Sequence, residues 1–158
     1  MRPFAPPARN FAMIVAASLV FSGQARADGF CNDLHIFAKQ AVSIDHDVLV
    51  PPSLMPNSAP PTCGTSRGLS GNSSVHCYWA FDYRSKAARM SFERLHADVS
   101  NCAGPSAAPD HEASVNHPDS YQLHQFELDQ DKISISLKDK GALQKTLVFL
   151  RIERAPKS

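Results

Sequence analysis

Val75-His76-Cys77-Tyr78-Trp79-Ala80-Phe81-Asp82-Tyr83-Arg84 alternates an almost wholly apolar set of side chains with a mixed one. In an extended chain Val75, Cys77, Trp79, Phe81 and Tyr83 point one way, and His76, Tyr78, Ala80, Asp82 and Arg84 the other. A period of two predicts a strand with one face buried in a core, and it argues against a helix here.

The residues that follow change period. Ser85 is placed to cap a helix over Ser85–Cys102, with Ala88, Phe92, Leu95, Val99 and Cys102 on one stripe and Gly104-Pro105 as the stop. A second helix is expected upstream, over Phe30–Val42, where Phe30, Leu34, Phe37, Ala38 and Ala41 recur at helical spacing and Asp28 is placed to cap the first turn. Between the first helix and the strand, residues 51–74 hold five prolines, then Gly64, Gly68 and Gly71 among serines. They read as a long irregular loop with room for a short strand near Cys63. A second loop is expected over 103–119.

Three more strands follow in quick succession: Tyr121–Leu128, Lys132–Lys138 and Thr146–Glu153. Short turns at Asp129-Gln130-Asp131 and from Asp139-Lys140-Gly141 predict an antiparallel meander. The expected fold is α+β, with two helices packed on one face of an antiparallel sheet of about four strands, in the order helix-strand-helix-strand-strand-strand.

The N-terminal segment has a separate character. Arg2 and Arg9 precede the uncharged run Phe11–Phe21, and Ala25-Arg26-Ala27 ends in the small residues that a signal peptidase accepts. Residues 1–27 read as a cleaved export signal, since a membrane-spanning helix needs about 20 apolar residues. Residues 28–158 then form one small domain with no membrane span. Removing 27 of the 158 residues leaves 131 and turns the net charge from +1 to −2, because Arg2, Arg9 and Arg26 leave with no acidic residue. This balance argues against nucleic acid as a partner.

All four cysteines, Cys31, Cys63, Cys77 and Cys102, lie in the exported part. An even number in such a chain reads as two disulfides, in the periplasm or outside the cell. Three connectivities are open. Cys63–Cys77 with Cys31–Cys102 is favoured, because the first closes the Gly/Ser-rich loop and the second ties the two helices.

Enzyme motifs are missing: no Gly-x-Ser-x-Gly elbow, phosphate loop, His-Glu-x-x-His or dinucleotide fingerprint occurs. The sequence therefore gives no catalytic residue, metal or cofactor as its first reading. An alternative is a small exported hydrolase or metal-binding protein. It would use His76 and Asp82 on the sheet face, or His111, His117 and His124 in the 110–124 stretch, where imidazoles and carboxylates are close in sequence. Asp45-His46-Asp47 is a further imidazole–carboxylate cluster that reads more simply as a solvated loop. The plain reading of Asp82 and Arg84 is an ion pair along the strand.

The last strand sharpens the picture. Leu147-Val148-Phe149-Leu150 is apolar on both sides. With Val148, Leu150 and Ile152 turned to the helices, Leu147, Phe149 and Arg151 join Tyr78 and Arg84 on the opposite face. Exposed aromatic and Arg side chains are common in protein-binding surfaces. The expected function is thus a binding or accessory protein of the cell envelope that meets a protein partner through Tyr78, Arg84, Leu147, Phe149 and Arg151. The competing reading is that the 51–74 loop folds over this face.

Overall fold

A computed structural model of the chain describes residues 22–43, 47–110 and 121–156. Its elements are α1 (Ser22–Lys39), β1 (Thr62–Arg67), β2 (Ser73–Asp82), α2 (Lys86–Ala103), β3 (Ala107–Asp110), β4 (Tyr121–Leu128), β5 (Asp131–Lys140) and β6 (Lys145–Arg154).

The two helices carry the stripes expected of them. Phe30, Leu34, Phe37 and Ala38 are buried on α1, and Ala41 is buried in the 3-10 turn Gln40–Val42 that continues it. α1 begins at Ser22 and runs through Asp28, so Asp28 is not its cap in the full chain. α2 starts where Ser85 accepts a hydrogen bond from the backbone N–H of Ala88 at 3.2 Å. It ends at Gly104, whose φ of 82° suits a residue without a Cβ and whose N–H donates to the Ser100 carbonyl at 2.9 Å. Ala88, Phe92, Leu95 and Val99 are its buried face.

The strands form one antiparallel sheet in the order β1-β2-β6-β5-β4-β3. Helix α2 carries the chain from β2 to the far edge, and the meander β4-β5-β6 then returns until β6 lies against β2. Four strand spacings separate β2 from β3, about 19 Å. Eighteen helical residues span about 27 Å, enough to make the crossing on a diagonal over the sheet.

The sheet therefore exceeds the expected four strands, and the element order differs. Five strands form its body, and the short β3 pairs with β4 through an irregular register at its edge. The two added strands lack the pattern that marks the others. Thr62-Cys63-Gly64-Thr65-Ser66-Arg67 has no apolar alternation. It is held by backbone pairing to β2 and by the Cys63–Cys77 bridge across the two strands. The second bridge joins Cys31 on α1 to Cys102 on α2. Both favoured pairings are present, and all four cysteines are used.

The core lies between the helices and one face of the sheet. Val75, Cys77 and Trp79 from β2, Phe126 from β4, Ile133, Ile135 and Leu137 from β5, and Val148, Leu150 and Ile152 from β6 meet the helical stripes in one cluster. The 51–74 segment serves this side as well. Leu54 and Met55 enter the same cluster, and Ser53 Oγ donates to Asp33 Oδ2 of α1 at 2.5 Å. After that the chain becomes the edge strand β1. The segment extends the sheet and covers the flank of α1, and it reaches the opposite face at the edge, where Ser66 and Asn72 stand beside His76 and Glu153. No described helix is long and apolar enough to cross a membrane.

Candidate functional site

The face of the sheet turned away from the helices is built by strict alternation. Register places His76 opposite Arg151, Tyr78 opposite Phe149 and Ala80 opposite Leu147 on β2 and β6. On the other side of β6, Ser134, Ser136 and Lys138 of β5 lie opposite Arg151, Phe149 and Leu147. Beyond β5, Gln125 and Leu123 of β4 lie opposite Ser134 and Ser136.

At the centre, the Tyr78 and Phe149 rings are 5.3 Å apart and tilted by 38°. This is a cross-strand aromatic pair of the kind that adds to sheet stability. Lys138 Nζ lies 4.7 Å from the centre of the Phe149 ring, within cation–π range. Burial, and then the charge of Lys140, hold the Lys138 ammonium below the ordinary lysine pKa. Next to the aromatic pair, Arg151 Nη2 donates to Glu153 Oε2 at 2.8 Å. Glu153 also accepts from the Asn72 side chain in the β1–β2 turn.

His76 sits where the facing strand carries Gly64. A Cβ at position 64 would lie 3.4 Å from the imidazole Nε2, an ordinary van der Waals contact, so the ring packs over the Gly64 backbone. Burial, and then the charge of Arg151, lower the His76 pKa from 6.5.

Four of the five side chains expected to form the partner face, Tyr78, Leu147, Phe149 and Arg151, are thus gathered on one surface. Arg84 is the exception. Strand β2 ends at Asp82, and Arg84 has a positive φ of 52° that turns the chain toward α2. Its Nε donates to Asp139 Oδ2 at 3.0 Å. Asp139 is buried on the helix-facing side of β5 and also accepts from Thr146 Oγ1 at 2.6 Å, while the Arg84 backbone N–H donates to Thr146 Oγ1 at 2.7 Å. Arg84 belongs to a structural clasp between the β2–α2 turn and the β5–β6 hairpin. The ion pair of Asp82 with Arg84 is not formed either, since Asp82 pairs with Lys145 across the strands at 3.1 Å.

The alternative catalytic residues are not brought together. His76 and Asp82 are six residues apart on one straight strand, about 20 Å, far beyond the reach of proton exchange. His111 and His117 lie outside the described residues, as do Ile44, Asp45 and His46. His124 faces the helices, where its ring packs edge-on to His96 with centroids 4.4 Å apart and also meets Phe92. Among the described residues, no three His, Cys, Asp or Glu side chains converge as ligands for a metal ion.

Sequence reasoning missed the contribution of β5. The alternation of Ile133, Ile135 and Leu137 with Ser134, Ser136 and Lys138 was readable. Which residues would flank the serines depended on strand order, and local sequence does not encode that. Comparison of the chain with protein-family models, with curated proteins and with solved structures found no match.

Proposed function

We propose that the protein is an exported binding protein, an accessory component of the cell envelope, that docks a protein partner on the open face of its sheet. The observation that carries this reading is the cluster of Tyr78, Phe149 and Lys138, flanked by Leu147 and Arg151. It stands on the face turned away from the helices, with Ser66 and Asn72 of the 51–74 segment at its edge. Large aromatic groups beside guanidinium and ammonium groups supply apolar contact and charge-assisted hydrogen bonds in one place, and such residues dominate binding energy at protein interfaces.

Export rests on the signal-like residues 1–27 and on two disulfides that use every cysteine in the chain. Such bridges persist in oxidising compartments. Cleavage before Asp28 would leave Cys31 three residues from the new terminus. The Cys31–Cys102 bridge would then anchor that end to α2.

Site-specific photo-crosslinking tests the docking reading. A photoreactive side chain at position 149 should capture a discrete partner in the native host. One at position 90, where Met90 is exposed on α2, should not. Arg151→Glu should abolish capture from position 149 while leaving the fold intact by circular dichroism. Equal capture from both positions, or capture indifferent to Arg151→Glu, overturns the reading.

A further inference from the structure

The side chains of the open face differ in length, and the difference has a direction. Between Lys132 and Lys138, the residues of β5 that face outward are Ser134 and Ser136. Their neighbours on β4 are Gln125 and Leu123, and on β6 Arg151 and Phe149. Short side chains between two rows of long ones make a trough that runs along β5. Its volume is about 440 Å³, within the range of sites that hold a defined ligand group. A lysine stands at each end. Six residues of extended chain separate Lys132 from Lys138, about 20 Å, which is the length of a six-residue segment laid along the strand.

Its charge is asymmetric. Lys132, Lys138 and Arg151 are cationic, and His76 adds no negative charge. Glu153 is the acidic group of the lining; it pairs with Arg151, accepts from Asn72 and stands opposite Lys132, so the lining carries three cations against one carboxylate. Glu127 lies opposite Lys132 in the β4–β5 register, outside the trough. The exported chain as a whole is slightly negative. An anionic ligand would therefore be held by local pairing in the trough, with little long-range attraction.

We propose that the trough receives an extended acidic segment of the partner protein. Its carboxylates meet Lys132 and Lys138 at the two ends and Arg151 on the wall, and an apolar side chain settles between Leu123 and Phe149. The half-buried Ser134 hydroxyl of the floor is available to the segment's carbonyl and carboxylate oxygens, while Ser136 is buried at the base. This inference rests on the docking role of the open face. It adds the chemistry of what is docked.

The probe is a fluorescein-labelled hexapeptide of glutamates with one central leucine, titrated with the purified exported protein and followed by fluorescence anisotropy. Binding is expected at low salt and should weaken as salt rises. Lys132→Glu combined with Lys138→Glu should weaken it about tenfold or more, the effect of losing roughly 1.4 kcal/mol of pairing. Ser134→Phe, which fills the floor and keeps every cation, should weaken it comparably. Met90→Glu on the outer side of α2 should leave it unchanged.

Equal affinity for the corresponding lysine hexapeptide would overturn the proposal, as would indifference to both trough variants. So would capture of phosphatidylglycerol vesicles with no binding of the peptide. If the peptide fails to bind while crosslinking from position 149 persists, this proposal falls and the docking role stands. If both are lost, the two fall together.

Discussion

Successive residues of β5 lead different lives. Ile133 and Ile135 are fully buried, and Leu137 nearly so, against the helices. Ser134 and Lys138, one step along the same backbone, belong to the open face. Each buried aliphatic side chain contributes about 1.5–3 kcal/mol relative to an exposed one. A serine or lysine on the other side contributes little of that kind. β6 repeats the division, with Val148, Leu150 and Ile152 inward and Leu147, Phe149 and Arg151 outward. The lesson is one of separability. Interactions that hold the domain together are concentrated on one side of the sheet, so the other side is open to substitution without loss of the fold.

Variants that break this contrast should have graded effects. The largest is expected on the helix side, where replacing Cys31 and Cys102 together by Ala frees a loop with a sequence separation of 71. Chain-entropy arguments put the loss of stability at about 4 kcal/mol, read as a shift in the urea midpoint of the purified protein. Loss of less than about 1 kcal/mol would show that the two helices are held by packing alone.

Leu150→Ala and Arg151→Ala make the sharpest pair, since the residues are adjacent and face opposite ways. Leu150→Ala should cost about 2–5 kcal/mol. Arg151→Ala should cost under about 1 kcal/mol, because its ion pair with Glu153 is exposed to solvent. Equal costs would erase the distinction between the faces. Asp139→Ala should fall between them at about 1–3 kcal/mol, because it leaves the Thr146 hydroxyl and the Arg84 guanidinium without their shared acceptor. Arg84→Glu should leave capture from position 149 unchanged, as befits a residue of the clasp.

The smallest effect concerns pH. His76 is held below its ordinary pKa of 6.5, so the unfolded chain takes up a proton there before the folded chain does. Stability should therefore fall as pH drops from about 6.5 through the lower folded value, and level off beneath it. Arg151→Gln removes the charge but keeps the burial, so the His76 midpoint should rise while remaining depressed. An NMR titration of the imidazole reads this directly. An unchanged midpoint would assign the whole shift to burial.

The parts of the fold legible in the sequence were those in which side chains repeat with a period. β2, β6 and the stripe of α2 are examples, because burying one face imposes a spacing of two or of three to four. β1 was only hinted at, since its partner recognises backbone groups and its own side chains are small and polar. Arg84 was misplaced because the alternation continues through it in the sequence while its backbone has already turned. A positive φ at an arginine carries no compositional mark. Within the strands, alternation places Val75, Cys77, Trp79, Val148, Leu150 and Ile152 on the buried face. The trough has no mark in local sequence, because it depends on β4 and β6 flanking β5.

The two bridges are nested, with Cys63–Cys77 lying inside the interval closed by Cys31–Cys102. On the proposed export route the chain is threaded N-terminus first into an oxidising compartment, which exposes Cys31, then Cys63, then Cys77, and Cys102 last. Joining sulfurs in order of arrival would link Cys31 to Cys63, which is neither native bridge. Correct oxidation thus requires Cys31 to wait as a thiol, or a later exchange that takes seconds to hours. Non-reducing gels and peptide mapping of protein exported in cells without thiol–disulfide isomerase activity distinguish these routes. A trapped Cys31–Cys63 species is expected. Undiminished native pairing would mean that α1 docks and shelters Cys31 before Cys63 reaches it.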